Sequence, residues 1–293
     1  MKLPPILAAL CALVTSALSE LPAEALRKLG ATVKEQNGSP VEVQAKAGDF
    51  TEADYRLLGQ CTTLRKLSLD GKTLNDTTLP LLAGLKELEE LSTNQTTLTD
   101  DGYRHFAQFP KLRVLHLWHP SWAMKEFTGA GIAHLKALPQ LERLTFAGST
   151  AGDAALEAIG QVTQLRSFQT WHTAQTQAGN AHLAKLPLVS LKIGQRLPRR
   201  GGSLEPSFDA ATIPGLAQIK TLETLELFEA RLTAAALEPL KTLPNLKKLS
   251  IHTTDIPTAD IETLRAALPS VTIAFKPLTD EERETTLVKK LKL

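Results

Sequence analysis

One pattern constrains this 293-residue chain more than any other: Leu-x-x-Leu-x-Leu, or a near variant of it, recurs eight times. It reads LRKLSL from Leu64, LEELST from Leu88, LRVLHL from Leu112 and LERLTF from Leu141. It continues as LRSFQT from Leu165, LVSLKI from Leu188, LETLEL from Leu222 and LKKLSI from Leu246. Successive starts lie 24, 24, 29, 24, 23, 34 and 24 residues apart, a basic period of 24 with two long interruptions. Alternation within each copy predicts a short strand. A fixed period of this length predicts stacked units, each too small to bury its own apolar face.

The second half of each unit has its own columns. Tyr55, Leu79, Tyr103, Ile132, Leu156, Ile213 and Leu237 stand nine residues ahead of the next strand motif, and further apolar residues follow three and six positions later. That spacing marks one face of a helical stretch. Four residues before six of these anchors, and before Asn180 in the same column, come Thr51, Asn75, Thr99, Thr128, Thr176, Asp209 and Thr233, whose side-chain oxygens suit helix N-caps. Pro110, Pro139, Pro187 and Pro244 then stop several helices. Asn180 occupies an anchor position, which predicts looser packing in that repeat.

At this point the chain resembles the leucine-rich repeat family, in the variety whose helix begins Leu-Thr-Asp-x-Gly, as in LTDDGYRHF at 98–106. The resemblance covers about residues 41–275. It implies an α/β horseshoe solenoid with parallel strands on the concave face and helices on the convex face. The repeat style is also that of F-box ubiquitin-ligase adaptors, but nothing F-box-like precedes these repeats, so kinship of repeat and not of activity is expected. Many family members carry an Asn just after the strand; here that column holds Lys72, Thr96, Pro120, Ser149, Thr173, Arg196, Ala230 and Thr254. The Asn ladder of those relatives is therefore absent, and a different curvature is expected.

The expected organisation is a signal peptide over 1–19, an N-terminal cap and atypical first repeat over 20–63, repeats over 64–275, and a charged helix or tail over 276–293. The first segment has one Lys, an apolar run from Leu3 to Val14 and the small-residue exit Ala17-Leu18-Ser19. Removing it leaves no transmembrane segment and predicts a secreted or periplasmic protein, with a bacterial host favoured by the style of repeat. Only Cys61 then remains, so no intrachain disulfide is available and the fold stands on packing. Lys plus Arg is 33 against 31 for Asp plus Glu, so no broad basic field exists to draw the chain onto nucleic acid.

Residues 115–122, LHLWHPSW, concentrate two of the three tryptophans and two of the seven histidines. Strand alternation points Leu115 and Leu117 inward and His116 and Trp118 to the concave surface. The column aligned with Trp118 reads Asp70, Asn94, Trp118, Ala147, Trp171, Gly194, Phe228 and His252, large rings alternating with small residues. Strand spacing predicts Trp118 and Trp171 roughly 10 Å apart, forming a shallow trough over Ala147. The two insertions, 119–131 and 194–211, leave from the same rim. Trp122, Met124 and Phe127 are expected to hood one end of the trough, and Arg196, Arg199 and Arg200 to rim the other.

The expected ligand surface is thus His116, Trp118, His119, Trp122, Gln169, Trp171, His172, Lys192, Arg199, Arg200, Glu226, Phe228 and His252. An aromatic floor with an Arg rim matches protein-binding surfaces, so a protein or peptide ligand is the first reading. Carbohydrate recognition is the second, with Trp118, Trp171 and Phe228 stacking on sugars while His116, Gln169, Lys192 and Glu226 bond hydroxyls. A third, bland reading has the rings packing under the loops. His119 and His172 sit two repeats apart, roughly 10 Å, too far to share a zinc whose ligands lie about 2 Å away. No cofactor is expected, and neither is catalysis: Cys61 lies in a core column, RRGG is too short for a phosphate loop, and no nucleophile–base or carboxylate pair appears. His105, His134 and His182 fall on convex helices.

Overall fold

The computed structural model describes residues 22–198 and 205–293; the segment expected to be a signal peptide lies outside them. Eleven strands form one open sheet in chain order: β1 Thr32–Gln36, β2 Ser39–Lys46, β3 Lys66–Asp70, β4 Glu90–Asn94, β5 Val114–Trp118 and β6 Arg143–Ala147, then β7 Ser167–Trp171, β8 Ser190–Ile193, β9 Thr224–Ala230, β10 Lys248–Thr254 and β11 Thr272–Lys276. β1 and β2 are antiparallel; every later pair is parallel.

Register follows the leucines. Val43, Leu67, Leu91, Leu115, Leu144, Phe168, Leu191, Leu225, Leu249 and Ile273 are directly aligned across β2 to β11, and all are buried. A slip by one residue would turn this whole row to solvent, so burial itself fixes the pairing. Against the row pack short helices, including the α-helices Glu52–Gly59 and Asp153–Ile159 and the tighter 3-10 helices Asp101–Gln108, Ala130–Ala137 and Ala235–Thr242. The tighter winding has a geometric reason. Eight residues at about 2.0 Å rise span the height of a five-residue strand at about 3.3 Å per residue. An α-helix of the same eight residues is about 4 Å shorter.

All seven residues of the N-cap column accept a backbone N–H: Thr51 from Asp54, Asn75 from Thr77, Thr99 from Gly102, Thr128 from Ala130, Thr176 from Ala178, Asp209 from Ala211 and Thr233 from Ala236. A second ladder joins repeat to repeat. Asp76 accepts the Thr99 N–H at 3.0 Å, Asp100 accepts those of Thr128 and Gly131 at 3.0 Å, and Asp153 accepts that of Thr176 at 2.7 Å; each also takes the threonine hydroxyl. This explains Leu-Thr-Asp-x-Gly physically. The Asp of one repeat satisfies helix-start donors of the next, and a Cβ on Gly102 or Gly179 would overlap that Asp side chain.

The strand exits supply a third ladder. Gln95, His119, Gly148, His172, Glu229 and Thr253 share one repeat position, and each has positive φ, between 44° and 77°. This left-handed residue turns the chain off the strand while its N–H reaches the next repeat: Gln95 to the Trp118 carbonyl at 3.0 Å, His119 to Ala147 at 2.8 Å, Gly148 to Trp171 at 3.0 Å. Backbone bonds therefore join repeat to repeat at the strand exit, beside the column that lacks Asn. The column itself is buried at Thr96, Ser149, Thr173, Arg196, Ala230 and Thr254.

Both ends fold back. At the N-terminus, helix Pro22–Lys28 precedes a hairpin whose turn, Asn37-Gly38, has positive φ at both residues, the geometry an Asn-Gly pair favours. At the C-terminus, Asp280–Glu282 starts a helix that continues with wide π turns through Arg283–Lys290. Leu287 and Leu291 in this segment are fully buried. Lys290 bonds Glu229 at 3.2 Å, and the Arg231 guanidinium donates to the Leu293 carbonyl at 3.0 Å. The helix is thus sewn to the exit end of β9. Among the described residues no helix is long and apolar enough to cross a membrane.

Candidate functional site: the concave ring ladder

The aligned strands bring Asp70, Asn94, Trp118, Ala147 and Trp171 into one row, which Phe228, His252 and Lys276 continue. Trp118 and Trp171 are half-buried while their flanking leucines and phenylalanines are fully buried. The rings do not stand apart over a trough. Centroids of Trp118 and Trp171 are 5.5 Å apart at 59°, well short of the roughly 10 Å that strand spacing suggests. Both indoles lean across Ala147, which is 2% exposed beneath them. Trp171 meets Phe228 edge-on at 5.5 Å, and Phe228 stacks on His252 at 5.2 Å. At the other end His116 stacks on Trp118 at 6.1 Å.

The small residues are seats for the rings. A Cβ on Gly194 would fall 2.5 Å from the Phe228 ring, so only glycine leaves room for that ring to lie over β8. The outcome is a continuous ridge, His116–Trp118–Trp171–Phe228–His252, with Phe228 itself only 7% exposed. Ring pairs of this kind contribute about 0.5–1.5 kcal/mol each beyond area burial.

One cation is wedged into the ridge. Lys192 Nζ lies 5.2 Å from the Trp171 ring centre and 5.0 Å from that of Phe228. It pairs with Glu226 at 2.6 Å, and the same Glu226 oxygen lies 2.8 Å from His252 Nε2. Burial pushes the Glu226 carboxyl up, but the bonds from Lys192 and His252 outweigh it and hold the group below the usual carboxylate range. His116 Nδ1 bonds Thr145 Oγ1 at 2.8 Å. Burial lowers its pKa and nearby Arg143 adds to that, against the opposing charge of Glu90. Gln169 aligns with Thr145 and Lys192 in the row beside the rings.

Several expected ligand residues lie elsewhere. His119 and His172 are left-handed rim residues, not members of the ridge: His119 Nδ1 bonds Asn94 Oδ1 at 2.9 Å, and His172 Nε2 bonds Glu229 Oε2 at 2.7 Å. Of the expected hood, only Trp122 is outward, 43% exposed; Met124 packs against the core, and Phe127, 4% exposed, stacks on Tyr103 at 5.7 Å. The insertion 119–131 thus turns Met124 and Phe127 toward the core and leaves Trp122 outward.

Arg196 does not rim the site. It is fully buried, its Nε donating to the Glu205 carbonyl at 2.7 Å and a terminal nitrogen to the Leu291 carbonyl at 2.8 Å. The returning C-terminal segment supplies that last acceptor, which no local pattern announces. Arg199 and Arg200 lie outside the described residues. Asn180, expected to loosen its repeat, is buried and tied: it accepts from Gln175 Nε2 at 3.0 Å and donates to the Ser207 carbonyl.

Cys61 is 3% exposed, and burial pushes its thiol up to about 11. Such a thiol is protonated and inert at neutral pH. Among the described residues no group of three or more His, Cys, Asp or Glu is arranged to hold a metal ion. Two rim arginines that the sequence pattern did not single out, Arg143 and Arg166, flank a cavity of about 510 Å³ at the strand-entry side of β6, β7 and β8. Their alignment with Ser167 and Ser190 follows from the repeat register, whereas their shortage of carboxylate partners is visible only in the folded chain.

Parallel strands in strict chain order, one leucine row and a helix on the outer side of each turn define a leucine-rich-repeat solenoid. No protein-family model and no curated protein sequence matches the chain. Among solved structures it is similar to internalin C2 from Listeria monocytogenes, with 17% identity, a TM-score of 0.48, and coverage of 88% of this chain and 93% of that one.

Proposed function

We propose that the chain is a non-catalytic, exported binding module that takes a protein or peptide on its concave aromatic ridge. The observation that carries this reading is the unbroken ladder from His116 to His252, with Trp118 and Trp171 half-exposed at its centre. Large rings fixed by their neighbours lose little side-chain freedom on binding, which suits Trp to binding hot spots, where it is enriched. Export rests on the apolar leader-like segment over residues 1–19.

The ring geometry favours a polypeptide over a sugar. Sugar stacking uses an open aromatic face, whereas Lys192 already stands over Trp171 and Phe228, and the two indoles meet at 59°. A tilted, ridged surface suits side chains that interdigitate with it.

The test is capture from the exported proteins of the host by the wild-type chain and by the Trp118→Ala/Trp171→Ala variant. Truncating a hot-spot residue costs about 2 kcal/mol or more, so partners bound through the ridge should drop out of the variant sample. Identical captured sets from both proteins would remove the ridge as the site. A glycan array run in parallel tests the alternative: a Trp171-dependent glycan signal would replace the polypeptide with a carbohydrate ligand.

A further inference from the structure

The entry rim of the solenoid, where the chain runs into the strands, is a row of charges paired from repeat to repeat. Arg65 pairs with Glu89 at 4.0 Å, Lys66 with Glu90 at 3.0 Å, Arg113 with Glu142 at 2.9 Å and Lys247 with Glu223 at 2.8 Å. At β6 and β7 the cations outnumber the carboxylates within reach. Among the described residues Arg143 pairs only with Glu142, at 3.8 Å, a carboxylate that Arg113 already holds more closely. Arg166 donates to the carbonyl oxygens of Thr163 and Leu165 and enters no ion pair among the described residues.

Both guanidiniums are exposed, and both border the same cavity of about 510 Å³. The same cavity is lined by hydroxyl and amide groups fit for an anion, Ser167, Ser190 and Gln169, with Glu142 the one carboxylate on its wall among the described residues. Arg143 aligns with Ser167, and the same two strands end in Ala147 and Trp171. The strand from Ser167 to Trp171 spans about 13 Å. Two arginines beside a single carboxylate, Glu142, and an aromatic platform therefore share one pair of strands.

We infer that the concave site takes an acidic polypeptide segment, whose carboxylate sits between Arg143 and Arg166 while an apolar side chain of the same segment lies on Trp118 and Trp171. The inference rests on the ridge being the binding surface and adds the chemistry of the partner. Guanidinium groups take carboxylates in two-pronged fashion, and a span of about 13 Å corresponds to about four residues of extended chain. A ligand without an acid would leave the surplus charge unanswered.

A displayed library of random peptides, selected on the intact chain, reads this directly. Selected sequences should carry Asp or Glu about four residues from an aromatic or aliphatic residue, and their binding should weaken with salt as charges are screened. The Arg143→Gln/Arg166→Gln variant should lose about tenfold in affinity for those peptides, since each partly exposed charge pair contributes modestly. Both arginines are surface residues, so circular dichroism and melting should match wild type. Peptides that need Trp118 and Trp171 but lack an acid, or that bind the arginine variant unchanged, would overturn the inference and leave the ridge standing. Peptides indifferent to the Trp118→Ala/Trp171→Ala change would overturn both. Selection of no peptide, alongside arginine-dependent binding of sulfated or uronic-acid glycans, would also overturn it and transfer the cavity to an anionic sugar.

Discussion

The two halves of the concave sheet share a backbone and differ in what they display. Across β3 and β4 the outward residues include Ser68, Asp70, Ser92 and Asn94, and the Asn94 amide donates to Asp70 at 2.7 Å while its oxygen meets the rim residue His119 at 2.9 Å. Across β5 to β10 the same positions carry His116, Trp118, Trp171, Lys192, Glu226, Phe228 and His252, tied into one ridge of rings with an embedded ion pair. Inward residues change little between the halves: they are mostly leucines, fully or nearly fully buried. The core row therefore builds the solenoid, and the concave columns are left to serve another purpose. Where they stay polar they need nothing; where they carry large rings, neighbouring strands are cut back to Ala147 and Gly194 to seat them.

If this contrast fails, the largest effect is at the core. Leu67→Ala in the polar half and Leu115→Ala in the aromatic half should each cost about 2–5 kcal/mol in urea unfolding, since both side chains are at most 2% exposed in the same row. A near-zero cost for Leu115 would mean that the ridge, and not the leucine row, supports its half.

A smaller effect probes the concave columns themselves. Gly194→Ala places a methyl group against the Phe228 ring and should cost about 1–3 kcal/mol by overpacking. Ser68→Ala, on the outward face of the polar half, should stay within about 0.5 kcal/mol. Thermal melts of the two variants decide it, and the near-ultraviolet dichroism of the tryptophans should change only in the first.

The smallest effect is a pH dependence confined to the aromatic half. Burial lowers the pKa of His116 from its ordinary 6.5. The unfolded chain then binds more protons than the folded one as pH falls through 6.5, so stability declines in that direction. Titrating unfolding free energy from about pH 8 to about pH 5 should show a decline that is reduced in His116→Gln. An unchanged profile in that variant would assign the decline elsewhere. Glu229 is held below the usual carboxylate range by His172 and Lys290 against the upward push of burial. Its contribution is lost only as pH falls below 4.5, a separate window.

Much of this protein is legible in the chain. The 24-residue recurrence of leucines dictates which side chains turn inward, because alternation in a strand and period in a stack are local and repetitive properties. The N-cap column is equally readable, since a cap lies within three residues of the N–H it satisfies. Asn37-Gly38 specifies the N-terminal hairpin through turn chemistry, a local signal that the leucine pattern does not contain. The ring positions follow from register alone. Tertiary structure decides the rest: how far a ring leans, what an arginine touches, and which cations lack a partner. Trp118 and Trp171 meet because side chains can tilt over a small residue on the strand between them. Arg196 is buried because a segment 95 residues further along the chain returns to accept its N–H. Such contacts depend on distances between segments, and no spacing within one repeat contains them.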